Sequence, residues 1–291
     1  MNLSKFGQLI LALIALSWNS GSLASKAPLE LEVYRADENS FFVASVLVKG
    51  PTEAVLIDAQ FTRAHAHQLV ANILRSGKTL RSIYISHGDP DYYFGLEVIQ
   101  QAFPDAEVYA TEATRKHIES TLQKKLDFWG PKLAANGPKN VTLPQAIGKK
   151  ILSVDGQELN IIGLETHPDR TFVWIPSIKA VVGGVPIYSQ VHLWIADSPT
   201  KESRQQWNNI LDQIEALRPE VIVPGHSTSS DKEGLKALEF TRQYLKDYEA
   251  ELAKAKNSKS LINAINKQYP ESQLNIALDI GAKVATGEMT W

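Results

Sequence analysis

The chain has 291 residues, 44% hydrophobic and 21% charged, a globular composition rather than a disordered one. Thirty basic against thirty-two acidic residues give a formal charge of −2, so no basic field is available to hold a phosphate backbone, and nucleic acid is not an expected partner. With no cysteine, disulfides, thiolate metal sites, iron–sulfur clusters and thiol nucleophiles are excluded, and any metal would rest on His, Asp, Glu or Tyr.

The first 24 residues read as a signal peptide. Lys5 gives a positive start, the apolar run FGQLILALIALSW spans 6–18, and Ser22-Leu23-Ala24 fits a small-x-small cleavage site. The run is too short to cross a bilayer comfortably, so cleavage after Ala24 and a periplasmic or secreted protein with no stable membrane anchor are expected. No cysteine stands at that site, which excludes a bacterial lipoprotein.

Strands follow in LELEVYR (29–35), FFVASVLVKG (41–50) and AVLID (54–58), with Gly50-Pro51 as a turn. Residues 63–76 have helical periodicity ending at Gly77; a strand at 81–86 runs into HGDPDYYFG, and a helix continues through Gln101. The strand EVYA precedes a long helix from Glu112 to about Leu133. Short strands are expected at 151–154, 159–164, 171–175 and 180–182, then a helix over 201–217 with Trp207, Ile210, Leu211, Ile214 and Leu217 on one stripe. VIVPGHS reads as a strand ending at His226, and residues 230–291 as a helical extension packed on the same domain. The alternation predicts two face-to-face sheets with helices outside.

Three strand ends deliver His and Asp into loops: His87-Gly88-Asp89-Pro90-Asp91-Tyr92, His167-Pro168-Asp169-Arg170 and Pro224-Gly225-His226. Positions 87, 89 and 91 can converge in a tight turn shaped by Gly88 and Pro90. In order and spacing, from Asp58 to His226, these motifs resemble the metallo-β-lactamase superfamily. The resemblance implies an αββα sandwich over 25–229, with the site along one edge of its sheets. His-x-Asp-x-Asp-Tyr stands here where the family has His-x-His-x-Asp-His. His87 falls on the first His, Asp89 on the second, Asp91 keeps the family Asp, Tyr92 replaces the last His, and His167 and His226 match the downstream histidines. Gly184 stands where the bridging Asp is expected.

The resemblance thus implies one divalent metal on His87, Asp89 and His167, with Asp91 and His226 as further candidate ligands. Zinc suits such a set in hydrolysis, and iron is the alternative. Metal-bound hydroxide would attack an ester, lactone or related bond of a small-molecule substrate. Asp91 would orient the water or act as base, and His226 would protonate the leaving group or bind an anionic part of the substrate. Tyr92, His192 and Asp169 are candidates for contacting substrate or supporting the ligands; Asp169 is also a candidate replacement bridge, and Asp197 a helix cap or loop anchor. His117 reads as a solvated helical residue. Tyr93, Phe94, Trp129, Tyr188 and Trp194 are either pocket or core, Phe94 and Trp194 lying nearest the motifs. A non-catalytic metal- or ligand-binding protein and an iron-dependent redox protein remain as alternatives, because three of the family's ligand positions have changed.

Overall fold

The computed structural model describes residues 27–163, 169–184, 186–228 and 234–291. The signal segment with Ala24, His167 and the 229/230 boundary lie outside the described residues. The first sheet holds β1 (Glu30–Arg35), β2 (Ala44–Lys49), β3 (Glu53–Ile57), β4 (Thr79–Ile85), β5 (Glu107–Ala110) and β6 (Gln145–Ala146), in that spatial order. Its first three strands are antiparallel neighbours, and β3 to β6 run parallel. The second holds β7 (Ile151–Val154), β8 (Gln157–Gly163), β9 (Thr171–Ile175), β10 (Ala180–Val182) and, beyond a separate strand β11 (Tyr188–Ser189), β12 (Val221–Ile222); the order is β12-β10-β9-β8-β7. A short strand β13 (His226–Ser227) pairs in parallel with β11.

Period-2 alternation explains the layering. Val46, Val48, Val55, Ile57 and Tyr84 of the first sheet pack with Leu159, Ile161, Val173, Ile175 and Val182 of the second, forming the inter-sheet core. The intervening Leu47, Leu56, Ile83 and Ile85 face the helical side and join a larger core. The helices are α1 (Arg63–Ser76), α2 (Pro90–Tyr93), α3 (Leu96–Ala102), α4 (Glu112–Leu133), α5 (Lys201–Ala216), α6 (Leu235–Leu252), α7 (Ser258–Gln268) and α8 (Asn275–Ala285). Thr62, Thr111 and Thr200 cap α1, α4 and α5 by accepting N–H bonds from the first turn. The stripe expected on α5 is buried through Ile214.

Two local departures shape the site. The FFVASVLVKG strand begins only at Ala44, because Phe41 and Phe42 take left-handed backbone, with φ of 58° and 54°. The strand ending at His226 breaks after Ile222, and Val223 to Gly225 carry the chain across to β13.

The helical extension packs on the loop that carries Asp197. Val191 bridges to Gln273, His192 N–H donates to the Gln273 carbonyl at 2.8 Å, and Gly281 of α8 lies against Ile195.

Candidate functional site

The site lies where β3, β4, β10 and β12 end and where β2, β9 and β13 begin. Asp58, just past β3, is buried with φ of 64°, and its carboxylate accepts the Ser86 N–H and hydroxyl, each at 2.8 Å. Ser86 Oγ in turn accepts the Gly184 N–H at 2.8 Å. Burial pushes the Asp58 carboxyl up to about 7, against the lowering effect of these bonds. Ser86 is further held by Thr171, whose N–H and hydroxyl both donate to its carbonyl, and His87 and Arg170 pair as an isolated bridge.

His87 is fully buried. Its Nδ1 accepts the Asp89 N–H at 2.9 Å, so the neutral ring carries its proton on Nε2. That Nε2 has no hydrogen-bond partner among the described residues. Burial holds the imidazole well below its usual range, against the pull of Asp89. Asp89 is the N-cap of α2, with Pro90 in the first turn. Its Oδ1 accepts from Lys125 Nζ of α4 at 2.8 Å, and the same ammonium donates to the Gly88 carbonyl at 2.7 Å. Burial works to raise the Asp89 carboxyl, but Lys125, His87 and Arg170 together hold it well below the carboxylate range.

Asp91, Tyr92 and His226 form a second corner. Tyr92 Oη lies 2.9 Å from His226 Nε2, and His226 Nδ1 lies 2.8 Å from the Phe41 carbonyl. The carbonyl can only accept, so Nδ1 carries the proton and Tyr92 donates to Nε2. Burial depresses the His226 imidazole to about 4, against the opposing effect of the Phe41 carbonyl. Asp91 Oδ2 lies 3.6 Å from His226 Nε2. Burial and then the charge of Asp89 raise its carboxyl well above the ordinary value. Tyr188 stacks on the His226 ring at 4.8 Å.

The glycine at the expected bridging position is demanded by the backbone. Gly184 has φ of 85°, and a Cβ there would overlap the Thr171 carbonyl oxygen. Gly225 presses against the Gly184 carbonyl in the same way. A side-chain ligand therefore has no room at 184.

The remaining expected residues divide. Asp169 Oδ2 lies 3.4 Å from His117 Nδ1, and the Asp169 carbonyl accepts from Thr114, so its partners are on α4. His192 is buried, with Nδ1 2.9 Å from Tyr244 Oη of α6; it supports the helical extension and does not line the cavity. Asp197 is a loop anchor, accepting from Arg170 at 3.0 Å, while Thr200 caps α5. Contrary to its reading as a solvated residue, His117 lines the site, its Nε2 3.4 Å from Lys125.

His87, Asp89, Asp91, Lys125, Arg170 and His226 line a cavity of about 970 Å³. Its apolar wall is Phe41, Phe128, Trp129, Trp194 and Trp291. Trp291 packs edge-on against Trp194 at 5.4 Å and Phe128 at 5.8 Å. Of the aromatics singled out in the sequence, Trp129, Tyr188 and Trp194 line the cavity, while Tyr93 and Phe94 are buried core. Lys125, Arg170 and Trp291 carried no sequence signal beyond their position: α4 periodicity places Lys125 without saying what it meets.

A divalent ion fits these residues poorly. Two of the atoms that would face it already have partners, Asp89 Oδ1 accepting from Lys125 and His226 Nε2 from Tyr92, which leaves His87 Nε2 and the Asp91 carboxylate. Among the described residues, no three His, Asp or Glu side chains are disposed to hold one metal.

Residues 39–226 match the family profile of the metallo-β-lactamase superfamily. No curated protein matches the chain by sequence. Among solved structures, a metallo-β-lactamase family protein from Thermus thermophilus aligns with a TM-score of 0.61 at 15% identity, covering 87% of this chain and 92% of its own. A β-lactamase domain protein from Burkholderia ambifaria gives 0.58 at 12%, covering 90% and 86%. The DIM-1 metallo-β-lactamase exposed to ceftazidime gives 0.51 at 17%, covering 76% and 98%. At these identities the likeness is one of fold.

Proposed function

The chain belongs to the metallo-β-lactamase superfamily and has its metal-dependent-hydrolase-like fold, and on that premise we propose that it is an exported protein that captures a small organic molecule in the edge cavity without a resident metal ion. The superfamily generally binds divalent metals, commonly zinc. The observation that carries the metal-free reading is the Lys125 ammonium 2.8 Å from Asp89 Oδ1. A lysine there supplies the positive charge that a carboxylate ligand otherwise takes from an ion, and two cations cannot share that oxygen without repulsion. Neutral partners for His226 seal the other half of the site.

A second reading, a mononuclear zinc or iron hydrolase using His87, Asp89 and His167, is favoured by one observation: a fully buried His87 Nε2 with no partner among the described residues. Elemental analysis of untagged mature protein separates the two. The metal-free reading expects well below one zinc or iron per chain and an unchanged melting temperature in EDTA. Close to one metal per chain, lost in both His87→Ala and His167→Ala, establishes the second reading instead. Export is tested by the N-terminal sequence of the mature protein, expected to begin at Ser25.

A further inference from the structure

We propose that the molecule taken by this cavity is an organic ammonium on a flat apolar body, its N–H groups donating to the Asp91 carboxylate and its body lying against the tryptophan wall. The proposal rests on the metal-free reading above and names the ligand class for the same site.

The charges lining the cavity do not cancel. Among the described residues, five carboxylates line it, Asp89, Asp91, Asp127, Asp169 and Asp197, against three cations, Lys124, Lys125 and Arg170. Asp89 is paired with Lys125 at 2.8 Å, and Asp197 with Arg170 at 3.0 Å. Lys124 and Asp127 are both exposed, one turn apart on α4, and offset each other at the rim. Asp169 faces only an imidazole, His117 Nδ1 at 3.4 Å. That ring is neutral, because its Nε2 accepts from the Lys125 ammonium at 3.4 Å.

Asp91 is the open group. It lines the cavity, and its side chain, more than nine-tenths buried, keeps 8% of its surface accessible. Among the described residues its carboxylate accepts only from its own backbone N–H. His226 Nε2, 3.6 Å away, has no proton to give: it accepts from Tyr92, while Nδ1 holds the ring proton for the Phe41 carbonyl. A buried acceptor without a donor costs stability, and native proteins leave few of them. What the site lacks is therefore a donor. One open carboxylate is too few for a divalent ion, which takes several ligands, and enough for one ammonium, whose N–H groups form charge-assisted bonds. Asp91 offers an acceptor oxygen whether or not it carries a proton, and the surplus negative charge of the lining favours a cation in either case.

The body of the ligand follows from the walls. Trp129, Trp194 and Trp291 join Phe41 and Phe128 in a chain of edge-to-face and tilted contacts between 4.8 and 6.3 Å. Such surfaces favour planar apolar groups by burial and stacking, and tryptophan faces attract cations. Away from the cavity the same wall already carries one, since Lys132 Nζ lies 3.6 Å from the centre of the Phe128 ring. The helical extension thus supplies part of the specificity, through Trp291.

The test is calorimetric titration of the full mature chain in EDTA at neutral pH, with metal content measured on the same sample. The probes are 2-naphthylmethylamine, its uncharged isostere 2-naphthalenemethanol and the anion 2-naphthoate. The amine is expected to bind about tenfold more tightly than the alcohol, and the acid more weakly than either. Asp91→Asn, which keeps the shape and one acceptor oxygen but removes the charge, should weaken the amine about fivefold and leave the alcohol unchanged. Trp291→Ala should weaken amine and alcohol alike. In wild-type protein shown to be metal-free, equal affinity for amine and alcohol, tighter binding of the acid, or no binding of the amine overturns the ammonium alone, with no variant needed. Close to one metal per chain in that sample overturns the metal-free reading, and the proposal with it.

Discussion

At one corner of the cavity Tyr92 and the Phe41 carbonyl satisfy His226, and behind it Asp58 and Ser86 satisfy each other. At the other, Lys125, Asp89, Arg170 and Asp197 form paired charges, and two donors are left over. Both corners descend from the same turn, residues 86–92, yet one is closed and the other is unfinished. The difference teaches that replacing ligand residues does not by itself empty a site. Where a hydroxyl and a backbone carbonyl took up the histidine, the result is packing; where cations took up the carboxylates, the result is a set of paired charges lining a cavity.

The largest disruption should come from forcing a ligand back into the closed corner. Gly184→Asp places a Cβ into the Thr171 carbonyl at φ of 85°, and should cost about 3 kcal/mol or more, read as a fall in the urea midpoint. Next in size is Tyr92→Phe, which strips the donor from a buried His226 Nε2. A loss of about 2 kcal/mol is expected, read by the same urea midpoint.

The pH dependence separates the terms further. Asp58, raised to about 7 by burial, binds more protons folded than unfolded between about pH 4 and 7, so its contribution to stability is lost as pH rises through that window. His192 and His226, both depressed to about 4 by burial, bind fewer protons folded than unfolded between about pH 4 and 6.5, so stability is lost as pH falls there. The two slopes oppose each other. Asp58→Asn should remove the first and expose the second, giving a steeper acid limb in unfolding measured at stepped pH. The charged corner has its own cost: Lys125→Met leaves a mostly buried Asp89 carboxylate without its ammonium and should lose about 2 kcal/mol by thermal unfolding.

The sheets and outer helices were legible because their alternation and stripes are local: β5, β9 and α1 lie where the sequence puts them. The turn at 87–92 was legible for the same reason, its residues being neighbours in sequence. The partners that decide what those residues do were not. Lys125 lies 36 positions from Asp89, and Arg170 reaches Asp197 across 27. No spacing rule links a helical lysine to a strand-end aspartate. His192 shows the converse: its surroundings in sequence resembled a site, while the Tyr244 hydroxyl, 52 positions on, makes it part of the interior.

The packing of α8 and Trp291 against the Asp197 loop bears on how the protein is made. A ribosome releases the chain from its N-terminus, so residues 39–226, everything that carries the family likeness, emerge before α6, α7 and α8. At ordinary synthesis rates that leaves an interval of seconds. During it the loop lacks its buttress and the tryptophan wall is open. Completion of the cavity wall thus waits for the last residues, and a product terminated after His226 would lack Leu274 and Trp291 from that wall.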